Sequence, residues 1–321
     1  MLVELVIFIA FIWFLVYLLP TLDPQGYLFY GNAPHVLYLE QEISSTAVTV
    51  VRWILFLLTA CLLLPMMVTI ILELVRWRIK YRRVPYHLPG KADSGEKEEI
   101  VRFDTHLKLQ HYLIMIGATL AGIIGLAQAF PDWSLAHWFL NEVLGGLEIK
   151  RHFHHYFAYI VDFTVFYFIG YLVYKFFIKK ERLMAMLPTF QDLKDFVNMN
   201  MYIFGFRKEE PKYSRYTFGQ KLDFYLIIVG IPILSLTGLT MYYTTVSSLI
   251  LPPIGIALAA VIHRSVAVFL AWFVLSVHLY YAHLAPGLFP INTVILTGKM
   301  SKLRYERLFP LDSERLPGKS D

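Results

Sequence analysis

The 321-residue sequence contains one cysteine, Cys61. A single thiol excludes an intramolecular disulfide, an all-cysteine iron–sulfur cluster and the paired-cysteine attachment of a c-type haem. Charge is scarce as well. Asp, Glu, Lys and Arg make up 17% of the chain against 57% hydrophobic residues, which excludes an ordinary soluble domain and predicts a polytopic protein of the lipid bilayer. Basic residues are missing altogether from residues 21–46, whereas 25 of the 29 Lys and Arg residues fall in three segments, 76–108, 175–221 and 284–321. Basic loops remain on the cytoplasmic side, so these segments and both termini are expected inside. The net charge of +5 is thereby accounted for as topology, and no nucleic-acid partner is expected.

What is present is hydrophobic length. Six stretches, 1–20, 47–75, 109–130, 155–178, 224–247 and 256–281, are long enough to span a bilayer, predicting an all-α integral membrane fold of six transmembrane helices. The first lacks a basic leader and a clear cleavage site and is read as an uncleaved helix. Residues 1–78 form an anchor pair without an intramembrane histidine, with Arg52 near the outer end of the second span. The acidic, aromatic loop between them suits an outer partner or a cap on the bundle, and its His35 is read as a surface residue. Residues 79–101 form a charged, turn-rich linker, and 179–215 an amphipathic surface segment that docks a partner or caps the inner side. The tail after Pro286, including 311–321, is basic and carries no catalytic motif.

From residue 102 onward three of the four spans carry histidine. An imidazole in hydrocarbon is costly and marks a functional site. His263 and His278 lie on one span; their separation leaves them within roughly 60° of one face and about 22 Å apart along the axis. His283 points the opposite way. On the third span, Ala118, Gly122 and Gly125 follow His111 within about 40° of its face and leave room for a flat macrocycle. His106 belongs at the cytoplasmic interface, near Asp104. The fourth span carries His152, His154 and His155 at its outer end, and spacing does not choose among them. Depth then pairs the ligands: His111 with His278 on the inner side, and one of the cluster with His263 on the outer side. Two bis-histidine sites predict two haem b groups. Arg151 and Arg264 stand beside the outer pair, where they suit haem propionates. Asp162 is a membrane-depth carboxylate, for proton handling or for bonding a neighbour, and Asp223 is a second candidate for proton handling. Thr217, Gln220 and Asp223 gather polar groups at the inner end of the fifth span, Gly219 permits close approach, and Pro232 predicts a kink.

The pieces LQHY (third span), RHFH (fourth), YTFGQK (fifth), and IH with VHLYYA (sixth) resemble the cytochrome b (gamma) subunit of respiratory formate dehydrogenases and thiosulfate reductases, over about residues 102–310. That resemblance implies a di-haem four-helix bundle in a prokaryotic cytoplasmic (inner) membrane, passing electrons between a partner subunit and quinone. It selects His154 as the outer ligand, and places menaquinone or ubiquinone on the cytoplasmic side by Thr217, Gly219, Gln220 and His278. The partner would be a catalytic or electron-relay subunit: an iron–sulfur protein, a molybdenum enzyme, a hydrogenase or a multihaem cytochrome c. Three departures stand out. Thr217 occupies a position where that family often has Asn. The helix-six histidines are fifteen residues apart where fourteen is expected, a rotation of about 100° to be absorbed by a local bulge or a rotated ligand. The first two spans have no counterpart. The rival readings are a transporter using His111, His263, His278 and Asp162 as a proton relay, against which no inverted repeat is detectable, and a haem-free anchor subunit.

Overall fold

The computed structural model describes residues 45–81, 98–130, 132–180, 183–209, 211–285 and 291–313. The first predicted span, the outer loop with His35 and most of the 79–101 linker lie outside the described residues. Among the described residues, five helices are long and apolar enough to cross a membrane. They are α1 (Thr46–Tyr81), α2 (Thr105–Ala129), the helix that follows the short α3 (Ser134–Trp138), namely α4 (Leu147–Val173), then α6 (Phe218–Tyr242) and α8 (Pro253–Trp272). The short α5 (Phe190–Ile203) precedes α6, and α7 (Thr244–Ser247) precedes α8.

Local chemistry explains where these helices start. Asp104 Oδ1 accepts from the Leu107 amide at 3.0 Å, satisfying one of the orphan donors of α2. Pro252 and Pro253 open α8, where the missing N–H costs nothing. Pro65 and Pro232 sit inside α1 and α6, each removing one hydrogen bond from an otherwise continuous helix. Beyond Trp272, α8 continues as π-helix over Phe273–His278 and again over Tyr280–Leu284.

The chain forms two compact units, one of residues 1–63, 114–162 and 229–276, the other of 64–113, 163–228 and 277–321. In the first, Val48 packs with Ala257 and Val261, flanked by Leu55, Ile254 and Leu258, so α1 lies on α8. In the second, Tyr281 is hydrogen-bonded to Glu73, and the Arg76 guanidinium lies 4.0 Å over the Tyr202 ring. Glu73 is thus a carboxylate within the second span that joins it to the histidine-bearing helix.

The second unit also holds a module that the sequence pattern does not announce. β1 (Glu99–Val101) pairs antiparallel with β2 (Lys299–Ser301), Ile100 opposite Met300. Behind them Val294, Met300, Tyr305 and Phe309 form a core with Ile100, Phe103 and Tyr213. Arg102, buried between the rings of Phe309 (4.4 Å) and Tyr216 (4.6 Å), donates to the Arg215 carbonyl, and burial lowers its pKa. Gly298, at φ 79°, accepts from the amides of Arg102 and Phe103 at 2.8 and 3.0 Å. The surface helix α5 starts at a capping box between Thr189 and Asp192. Asp192 also pairs with Lys221 of α6 at 2.9 Å, and Lys221 donates to the Leu187 carbonyl at 3.1 Å.

Candidate functional site: two histidine pairs

Two imidazole pairs form, each within one unit. His154 of α4 faces His263 of α8 with ring centroids 6.3 Å apart and planes at 71°. His111 of α2 faces His278, also at 6.3 Å, with planes at 39°. A metal–imidazole bond of about 2 Å on each side, plus roughly 1 Å from each nitrogen to its ring centre, puts two trans ligands about 6 Å apart. Both spacings match that value. Of the two ways to absorb the extra residue between His263 and His278, the last span shows a wider turn, the π-helical segment Phe273–His278.

Three of the four rings have Nδ1 hydrogen-bonded to an acceptor, which fixes the proton there and leaves Nε2 with its lone pair. His154 donates to the Ala121 carbonyl at 3.0 Å, and His263 to the Leu234 carbonyl at 3.0 Å with Thr237 Oγ1 at 3.1 Å. His278 donates to Asp223 Oδ2 at 2.5 Å. The two carbonyl contacts repeat one design. Gly125 lies four residues after Ala121 and Gly238 four after Leu234; a Cβ at Gly125 would meet His154 Cε1 at 3.1 Å and one at Gly238 would meet His263 Cε1 at 3.2 Å. Each glycine leaves the gap through which a neighbouring imidazole reaches the helix backbone.

The other predicted residues are placed as follows. The space at Gly125 belongs to the His154 ring, whereas a Cβ at Gly122 would meet nothing within 4 Å, and Ala118 is exposed. Gly117, not singled out from sequence, packs α2 on α4, with a Cβ reaching Val161 at 3.0 Å. Of the histidine cluster, His152 is exposed and His155 lies against Tyr242 at 4.2 Å. Arg151 is exposed, and the Arg264 guanidinium lies 5.0 Å from the Phe130 ring. Asp162 accepts a hydrogen bond from Ser235. Thr217 and Gln220 form a reciprocal capping box at the start of α6, the Gln220 amide donating to Thr217 Oγ1 at 3.2 Å and the Thr217 amide to Gln220 Oε1 at 3.1 Å; Gly219 between them is exposed. His106 is exposed and bonds Tyr167 at 2.7 Å. The contact between Asp223 and His278 escaped sequence reasoning; its one available signal was an acidic residue one and a half turns into α6, at the edge of its apolar stretch.

These features define a helical membrane protein with two pairs of half-buried histidines between its spans, three of the four rings held at Nδ1 by a hydrogen-bond acceptor. A family model described as prokaryotic cytochrome b561 matches residues 102–288, more than half of the chain, and the protein belongs to that family. The cytochrome b556 subunit of formate dehydrogenase from Haemophilus influenzae is 24% identical over 198 residues, covering 62% of this chain and 76% of the relative. The protein is accordingly a multi-pass membrane cytochrome b of electron transport, and the family implies haem b. The residues fit that cofactor. No cluster of three or more potential metal ligands occurs among the described residues, as bis-imidazole ligation of a macrocycle requires none, and the open face at Gly122 offers room for a flat group.

Proposed function

We propose that the protein is a di-haem, quinone-reactive cytochrome b, with one haem b between His154 and His263 and a second between His111 and His278. The single observation that carries this reading is the recurrence of the same 6.3 Å imidazole spacing in two separate pairs. Iron held at each pair supplies one-electron chemistry between ferric and ferrous states. The second unit contains the basic segments around 76–108, 175–221 and 299–307, so the positive-inside rule assigns His111 and His278 to the cytoplasmic side and both termini with them. The six-span count includes the first predicted helix.

Electrons pass between a partner redox subunit and quinone, menaquinone or ubiquinone, at the cytoplasmic end of α6. The relative's assignment to formate dehydrogenase supports a catalytic partner, of molybdenum, iron–sulfur, hydrogenase or multihaem type. Thr217, Gly219 and Gln220 form the polar start of α6, and His278 meets that helix at Asp223, six residues further on. Because Thr217 and Gln220 already cap each other's amides, the groups left for a quinone carbonyl are the Thr217 hydroxyl hydrogen and the Gln220 side-chain NH2. Arg151 and Arg264 serve the outer propionates, and Gly122 the face of a macrocycle.

A reduced-minus-oxidised optical spectrum with a pyridine haemochrome count tests the reading. Two b-type haems per chain are expected, falling to one in His154→Ala; a protein without haem leaves Asp162 and the histidines to a proton pathway instead.

A further inference from the structure

The hydrogen-bonded histidines differ in what accepts their Nδ1 proton. His154 and His263 donate to neutral main-chain carbonyls at 3.0 Å. His278 donates to a carboxylate at 2.5 Å. A charge-assisted bond is shorter and stronger than a neutral one, and a carboxylate behind an imidazole raises the basicity of the opposite nitrogen. Asp223 is committed to this role. Its second oxygen, Oδ1, is buried without a hydrogen-bond partner. The cation nearest in sequence, Lys221, is turned to Asp192 and the Leu187 carbonyl.

We propose that Asp223 is a positioning residue that orients His278 and makes it the strongest electron donor of the four histidines, so that iron ligated by His111 and His278 has a lower reduction potential than iron ligated by His154 and His263. The inference rests on the di-haem reading. Second-shell hydrogen bonding is one of the established levers on the potential of a ligated iron. The asymmetry makes the site by α6 the stronger reductant of the two. The balance is two electrons from the partner subunit and two protons from cytoplasmic water for each quinone converted to quinol.

Optical redox titration of the purified full-length protein tests this in three forms. Wild type should show two b-type midpoints. Asp223→Asn keeps an acceptor but removes the charge; it should raise the lower midpoint, with a tenfold or larger change in that reduction equilibrium, about 59 mV for one electron, and leave the higher one in place. Asp223→Glu should return the midpoint toward wild type. Two retained haems with both midpoints unmoved in Asp223→Asn overturn the inference. His154→Ala leaves Asp223 untouched and gives a second reading: the haem that remains should be the low-potential one, and a high-potential remnant overturns the inference. Fewer than two haems in wild type overturns the di-haem reading itself, and this inference with it, so the haem count separates the two failures.

Discussion

Gly125 and Gly238 act as windows rather than as hinges. In ordinary membrane helices glycine brings backbones together, as Gly117 does here against Val161. At Gly125 the gap admits a side chain, and a branched residue there must evict the His154 ring, whose Cε1 lies 3.1 Å from where a Cβ would stand. On the proposed di-haem reading, Gly125→Val is expected to lower haem content from two per chain to one, with overpacking of about 1–3 kcal/mol, checked by pyridine haemochrome and thermal denaturation. The ring planes carry a further expectation. The pairs cross at 39° and 71°, so the oxidised protein should show two low-spin ferric signals of different anisotropy by electron paramagnetic resonance, in place of one signal of doubled intensity. The histidine pairs themselves were legible in the sequence, because span direction converts position along the chain into depth. The choice among His152, His154 and His155 was not legible from spacing, since one helical turn of side chains differs only in which neighbour it meets; the resemblance selected His154, and the structure turns that ring to His263. The acceptors on Nδ1 were illegible for the same reason, as Ala121, Leu234 and Asp223 reach their histidines across helices, at separations of 33, 29 and 55 residues.

Among the elements, the π-helical stretch Phe273–His278 is the clearest case of a pattern defect with a physical cause. A fifteen-residue spacing on a straight helix would turn His278 away from His263's neighbours by about 100° relative to fourteen. The extra residue is accommodated by the wider turn. Deleting Val274 should therefore let the segment close to α-helix and keep both haems, whereas inserting one residue at the same place should remove the inner one; the haem count of the two variants decides. The surface helix α5 makes a different point. Burial opposes the charged form of Asp192, but the Lys221 ammonium together with the Thr189 hydroxyl and amide outweighs it and holds the carboxyl below the usual carboxylate range. A depressed carboxylate stabilises above its unfolded value of about 4 and loses that contribution as pH falls through its folded value. Protection from hydrogen exchange over residues 190–203, taken relative to the intrinsic rate at each pH, should thus be unchanged between pH 8 and 6 and fall below about 4, and Asp192→Asn should show the lowered protection already at pH 7, with docking weakened by on the order of 2 kcal/mol.

The second unit is tied together by segments that look dispensable in sequence. Spans announce themselves through about 20 apolar residues, but β2, α9 (Val294–Thr297) and α10 (Lys302–Leu308) are too short to show a periodicity. Their role emerges when residues 200 apart meet, as Glu99 does with Lys299 at 2.8 Å. Gly298 closes that junction: with φ at 79° and a hypothetical Cβ 2.3 Å from the Phe103 carbonyl, Gly298→Ala should open the module and expose residues 98–103 to protease in membrane vesicles. A cytoplasmic reporter fused at the C-terminus should be active, in keeping with the basic tail.

The two ways of holding a histidine proton also differ in what mutation can reach. A main-chain carbonyl is encoded by no codon, so the acceptors for His154 and His263 survive any replacement of Ala121 or Leu234 that preserves the helix. Asp223 is a side chain, and a single nucleotide change can replace it with Asn. If Asp223 sets the potential as proposed, one site is built as a constant and the other as an adjustable setting, and a change at position 223 moves the second without disturbing the first.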